Sequence, residues 1–412
     1  MSWTAVQRRQ SLRILWSGQF LAIAGLTVLV PLLPFYLREL GATAGENSFW
    51  TGMALAAPAV TLCLTSPLWG RVGDRHGRKW MVARALFGLA LSLFLMAMVQ
   101  SPLALFLCRL LQGACGGVVD AASAYAASEA PEEERGQVLG KLQGATAAGS
   151  LFGPLIGGLL ADVIGFRQLL LLMAVLTAAS GVLTSVALRE SKPKRVAKSE
   201  QGRVHHSFTR VFVEMLQHRR LRAFLIAGLL AQTGIYGLVT AFAPHVELLL
   251  GSSDRAASWV GILQALTWGA GLLGAAWWGK RNDRHSIENN MFWALALCGL
   301  SIALQALPQE ASGLIPLRLL QGFAFAALLQ SVFLAVAQET GRQSRGERIG
   351  AANSFLVLGQ IIGPLLGGVL GGIWTTGAVF VAMGALFIVG ALCMMCARIH
   401  IRPLGSDRST AL

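Results

Sequence analysis

The sequence predicts an all-α integral membrane protein, with twelve transmembrane helices in two pseudo-symmetric six-helix bundles. Three observations predict it. Charged residues make up 13% of the chain and hydrophobic residues 54%, whereas a soluble protein carries about 25% charged residues. Apolar stretches near the ~20 residues needed to cross the hydrocarbon core recur along the chain. The second half repeats the first at a nearly constant offset.

The spans are expected at 14–37, 48–70, 80–100, 103–127, 138–162, 166–188, 222–249, 257–278, 290–307, 313–337, 349–373 and 376–398. Short connections and the lack of alternating strand-like segments argue against a β-barrel. Span 1 carries VPLLPFYL, with Pro31 and Pro34. Span 2 runs into GRVGDRHGRK, residues 70–79, where glycines permit a tight turn and charges cluster between two helix ends.

Span 4 contains RLLQG, Arg109–Gly113. A guanidinium in lipid is costly, so Arg109 is expected against a polar cavity. Asp120 follows by 11 residues, which on an unbroken helix is three turns plus about 20°. Arg109, Gln112, Gly113, Gly116 and Asp120 would then share one face. Asp120 is a candidate proton site, with Arg109 as the cation that tunes it. The plainer reading makes Arg109 a tie between helices and Asp120 a structural acid near the membrane surface. Asp162 and Glu247 are the next acids for a coupling role.

Span 5 contains GSLFGPLIGG. Gly149, Gly153 and Gly157 share a face and admit a neighbouring helix closely, and Pro154 is expected to bend the span. Residues 1–190 form the first bundle, 191–220 a charged linker and 221–412 the second bundle. Within the linker, Phe208, Val211, Phe212 and Met215 would share one face of a short interfacial helix capped by Ser207.

The second bundle is read from the repeat. Trp50 and Gly52 match Trp259 and Gly261, Trp69-Gly70 matches Trp278-Gly279, and Arg109–Gly113 matches Arg318–Gly322, all 209 residues on. GPLIGG at 153–158 matches GPLLGG at 363–368 after one inserted residue. Gly359, Gly363, Gly367 and Gly371, with Pro364, repeat the small-residue series. Polar and aromatic residues scattered in apolar spans are the candidate cavity lining: Gln19, Gln112, Gln232, Tyr236, Gln264, Trp268, Arg318, Gln330 and Gln360. Each has a plainer reading as a packing or helix-pairing residue.

The net charge of +14 is not spread evenly. With the N-terminus in the cytoplasm, inside segments hold 28 of the 34 Lys and Arg. This is the positive-inside signal, it puts both termini in the cytoplasm, and it leaves no basic face for nucleic acid. The first apolar run reads as a retained helix rather than a cleaved leader. All six cysteines fall in spans, and the Cys393–Cys396 pair reads as packing. No HExxH, GxSxG or nucleotide-binding loop occurs, so neither an enzyme, a cofactor nor a metal is expected.

GRVGDRHGRK resembles the loop signature of the major facilitator superfamily, G-x-x-x-D-R-x-G-R-[KR], at every defined position. RLLQG resembles its helix-4 signature, R-x-x-[QG]-G. GSLFGPLIGG resembles the signature its exporters carry on helix 5, and VPLLPFYL the helix-1 signature of the drug:proton antiporters. The resemblance covers residues 12–400 and is nearest in pattern to the bacterial multidrug-resistance members of the drug:proton antiporter-1 branch. It implies the major facilitator fold and a proton-coupled exporter of small amphipathic compounds, monomeric, embedded in lipid of the bacterial inner membrane. It also implies a conformational latch of Gly70, Asp74, Arg75, Gly77 and Arg78, with Glu129 as acidic partner. The second copy, GKRNDRHSIE, keeps Gly279, Asp283 and Arg284 but has Ser286 and Ile287, so a second full latch is not expected. A specific exporter or importer of one metabolite, such as a siderophore or sugar, would share this fold and stays open.

Overall fold

The computed structural model describes residues 5–131, 134–188, 208–340 and 345–401. Twelve helices among the described residues are long and apolar enough to cross a membrane. The first half comprises α1 (Ala5–Leu29), α2 (Leu33–Glu39), α3 (Ala44–His76), α4 (Arg78–Met98), α5 (Pro102–Ala114), α6 (Val118–Glu129), α7 (Arg135–Ile164) and α8 (Phe166–Ala187). A short helix, α9 (Phe208–Gln217), leads into the second half. That half comprises α10 (Arg219–Leu250), α11 (Ala256–Arg284), α12 (Ile287–Leu304), α13 (Leu314–Gln338), α14 (Arg345–Ile373) and α15 (Thr376–Ile401).

Two expected spans are not single rods. Span 1 breaks after Leu29 and resumes at Leu33. Pro31 lies in the break, and Pro34 sits in the first turn of α2, where a missing N–H is harmless. Span 4 breaks between Ala114 and Val118. Gly117 there has φ of +96°, a left-handed conformation that a side chain would resist. Its repeat counterpart, with Phe325-Ala326 in place of Gly116-Gly117, runs unbroken through α13.

Packing follows the duplication. In the first half α1 packs on α7, α3 on α5 and α4 on α8; in the second α10 packs on α14, α11 on α13 and α12 on α15. The halves meet along two seams, α3 with α14 and α7 with α11. These seams exchange equivalent helices, as a pseudo-twofold relation requires. The outer surface is apolar, as lipid demands. On α4, Phe87, Leu91, Phe94 and Met98 form an exposed stripe at helical spacing, while Leu86, Leu89 and Leu93 face the core.

The small-residue faces do the close packing. Gly149, Gly153 and Gly157 lie against Phe20, Ile23, Ala24, Thr27 and Val28 of α1. Gly359, Gly363 and Gly367 lie against Leu229, Gln232, Thr233, Gly237 and Thr240 of α10. Gly371 departs from its expected series, because four-residue spacing drifts about 40° per step: it meets Ser48 of α3 instead. Helix α7 passes through Pro154, and α14 through Pro364, without interruption.

Helix α9 sits under the second half, against α10 and α14. Val211 and Met215 are buried, the Phe212 ring lies tilted 5.3 Å from that of Phe355, and Glu214 pairs with Arg348 at 3.3 Å. The Phe208 side chain and Ser207 lie outside the described residues.

Candidate functional site

The helix ends define two faces of the molecule. The basic face carries the start of α1 and the α3–α4 turn; the far face carries α2 and the α7–α8 turn. The halves are shut together at the far face. Gly52 of α3 meets Pro364 and Gly368 of α14, and Gly158 of α7 meets Ala257 and Gly261 of α11. Asp162 of α7 accepts hydrogen bonds from the Ser258 backbone N–H at 2.8 Å and its hydroxyl at 2.5 Å. Ser258 lies in the first turn of α11, where a carboxylate also complements the helix dipole. Arg38 pairs with Glu247 at 2.7 Å. These two are 209 residues apart, so equivalent positions of the two halves meet each other.

Toward the basic face the halves part. Gly70 of α3, Gly136, Gly140 and Gly144 of α7, and Gly346 and Gly350 of α14 all border open space. Leu64 on α3 and Leu273 on α11 are 71% and 77% exposed. The molecule is a clamshell closed at one rim.

Both RLLQG arginines are buried, each 3% exposed. The sequence reading turned them toward a shared cavity; the structure keeps each inside its own half. Arg109 donates from Nε to the Ala54 carbonyl at 2.8 Å and from Nη1 to Gln112 Oε1 at 2.5 Å. Arg318 donates to Gln321 Oε1 at 3.0 Å and Gln264 Oε1 at 2.6 Å, and stacks 3.8 Å from the Phe242 ring centre. Among the described residues their partners are carbonyls, amides and a ring rather than a carboxylate, and Arg318 Nε has none.

The shared face of Arg109 and Asp120 no longer follows from the spacing. The counting assumed one helix, and the helix breaks between them. Arg109 lies buried in α5, whereas Asp120 is exposed in the first turn of α6. Among the described residues Asp120 has no ion-pair or hydrogen-bond partner.

The break has its own support, which sequence reasoning missed. The last carbonyls of α5 lack intrahelical donors. Trp69 Nε1 donates to the Ala114 carbonyl at 2.7 Å. Arg84 donates to the Cys115 and Gly116 carbonyls at 3.2 and 2.9 Å, with its guanidinium 3.7 Å above the Trp69 ring. In the second half Trp278 makes the equivalent bond to the Phe323 carbonyl at 2.9 Å, but the counterpart of Arg84 is Trp293.

The expected cavity residues divide. Gln19 is buried and bonds the Leu142 carbonyl and Thr146 Oγ1, tying α1 to α7. Gln112 serves Arg109, and Gln232 is packed against Gly359. All three are buried, and of them Gln19 bonds across two helices while Gln112 bonds within α5. Trp268 is 41% exposed, and Tyr236, Gln264, Gln330 and Gln360 are half-buried. All five belong to the second half. Trp268 follows Gly261 by two turns, so it continues the seam face of α11 below the closed rim.

At the basic face, Gly77 takes φ of +99° between α3 and α4. Arg78 Nη1 donates to the Ala124 carbonyl at 2.8 Å, anchoring α6 within the first half. Glu129 closes α6. Asp74 and Arg75 end α3, and their side chains lie outside the described residues. Among the described residues no cluster of three His, Cys, Asp or Glu side chains could hold a metal.

The profile of the Major Facilitator Superfamily matches residues 15–311 and 224–410. A Staphylococcus aureus protein described as a staphyloferrin B transporter is 43% identical over 392 residues, 95% of this chain and 93% of its own. The multidrug resistance protein MdtG of Salmonella paratyphi A is 29% identical over 385 residues, 93% of this chain and 94% of its own. Among solved structures, a bacterial homolog of the human lysosomal transporter Spinster has a TM-score of 0.78 at 15% identity. It covers 96% of this chain and 98% of its own.

Proposed function

Because the chain belongs to the Major Facilitator Superfamily, and is a multi-pass membrane transporter, we propose that it exports a small organic metabolite of the siderophore kind by proton-coupled alternating access. The one-sided opening carries this reading. With the basic face in the cytoplasm, the closed far rim and parted basic side describe a state that loads from inside. Transport requires a second state in which the seams exchange roles, and cargo and proton must each favour a different one. Asp120, exposed and without a partner among the described residues, is the residue proposed to carry the proton. Arg78 and the rest of the α3–α4 loop are proposed to latch the basic side when it closes.

The narrow-substrate reading is favoured over a broad drug pump by the 43% likeness to a staphyloferrin B transporter, against 29% to MdtG. The second reading, multidrug export, draws on that MdtG likeness and on the uncharged wall of Trp268, Tyr236 and the glutamines. Inverted vesicles with an imposed pH gradient separate them. Gradient-driven uptake of staphyloferrin B without uptake of a cationic dye supports the first, and dye uptake supports the second. Uptake indifferent to the gradient removes proton coupling from both.

A further inference from the structure

At the basic face, α1 and α7 of the first half enclose a cavity of about 680 Å³ lined by Leu12, Arg13, Trp16, Lys141 and Gly144. We infer that this vestibule is an anion-recognising loading site, whose occupant presents an acidic group to Arg13 and Lys141 and a planar group to Trp16. The inference rests on the export reading and adds the charge of the cargo.

Gly144 places the α7 wall of this cavity on the face that meets the second half further up. Gly144, Leu151 and Gly158 follow one another at seven residues, two turns less about 20°, so they share one face of α7. At the top of that face Gly158 touches Gly261 of α11, and Leu151 lies against Gly269. At Gly144 a side chain would meet nothing within 4 Å.

Its chemistry is one-signed. Arg13 and Lys141 are exposed and have no ion-pair or hydrogen-bond partner among the described residues. Arg13, Trp16 and Phe20 form a helical stripe on α1. Trp16 and Phe20 stack at 5.5 Å and 4°, a flat aromatic shelf rising from the cations. Deeper in each half, Arg109 and Arg318 are bonded to no carboxylate among the described residues. Charges of one sign at the mouth of a low-dielectric cleft concentrate the opposite charge there. The device is confined to one half. The repeat counterparts of Arg13, Trp16 and Phe20 are Arg222, Leu225 and Leu229, and those of Lys141 and Gly144 are Ala351 and Ser354.

An acidic group could come from cargo or from a lipid headgroup, and the test separates them. The full chain is purified in detergent and titrated with carboxyfluorescein, an aromatic carboxylate, and with the cationic dye rhodamine 6G. The double variant Arg13→Gln/Lys141→Gln should bind carboxyfluorescein about tenfold more weakly and rhodamine 6G no more weakly, while Arg13→Lys keeps anion binding. The same proteins are then placed in nanodiscs with and without phosphatidylglycerol. Unchanged carboxyfluorescein affinity in the double variant overturns the inference. So does a charge effect confined to phosphatidylglycerol discs, which makes the site a headgroup contact. Transport separates this failure from that of the export reading. Siderophore export with a KM unmoved by the double substitution sinks the vestibule alone. Charge-dependent carboxyfluorescein binding without siderophore export sinks the export reading and leaves the site standing.

Discussion

Helices α5 and α6 together, and helix α13, are two copies of one segment. Both carry RLLQG, both bury its arginine against its own glutamine, and both accept a tryptophan N–H on the carbonyl five residues after that arginine. Among the positions where the copies and their neighbours differ, four surround the turn. Gly116-Gly117 faces Phe325-Ala326, Arg84 faces Trp293, and Asp120 faces Leu329. The first copy breaks, gains a cation over the exposed carbonyls, and starts a new helix with a carboxylate in its first turn. The second stays straight and apolar. Duplication kept the anchors in both halves, while these four differences change one turn. One half therefore carries a polar joint in this segment and the other a continuous helix.

The comparison can be broken directly. Straightening the first copy with Gly116→Phe/Gly117→Ala should reduce gradient-driven uptake in inverted vesicles to background, because the left-handed turn at Gly117 is lost. The reciprocal Phe325→Gly/Ala326→Gly in α13 should lower stability by roughly 2 kcal/mol, since each glycine inside a helix costs about 1 kcal/mol, with transport retained. Wild-type transport by the straightened protein would make the break incidental.

Asp120→Asn comes next in size. It should abolish uphill transport while leaving cargo affinity in detergent within about threefold. Uphill pumping at the wild-type rate removes Asp120 from coupling.

Arg84→Leu leaves two carbonyls at the break without donors, a loss of about 1–3 kcal/mol. Turnover at matched membrane levels should fall by about tenfold, and the melting temperature should drop. Trp293→Leu, at the equivalent place in the second half, should change turnover little. Equal effects at both positions would mean that Arg84 supports packing rather than the joint.

Glu247→Gln is the mildest. The Arg38–Glu247 pair is half in solvent and is worth about 0.2–1 kcal/mol. Its loss should shift the halves modestly toward opening at the far rim. The measurable sign is that the salt dependence of wild-type turnover flattens in the variant.

Much of this was legible in the residues. The 209-residue offset, the Gly149–Gly157 face and the amphipathic run around Val211 and Met215 each carry a local or periodic signal. The break in α5–α6 did not show. Two glycines and a cysteine do not interrupt an apolar stretch, and a count from Arg109 to Asp120 works only on an intact rod. Gln19 and Gln112 looked like lining because a glutamine among apolar residues reads alike whether it faces water or a carbonyl on the next helix. The far rim joins Asp162 to Ser258 across 96 residues, with no local trace. Arg38 and Glu247 were findable, since opposite charges at equivalent positions of a repeat fall near its axis, and the offset was in hand.

The glycines of the far seams also bear on insulation. A membrane that stores a proton gradient loses it through any continuous file of water. At Gly52 with Gly368 and at Gly158 with Gly261, backbone lies directly on backbone, and such a contact leaves no room for that file while the other side stands open. A methyl group at one of these positions would act as a wedge. Its first symptom would be leakage, cells losing their gradient with no cargo present, before any fault in transport itself.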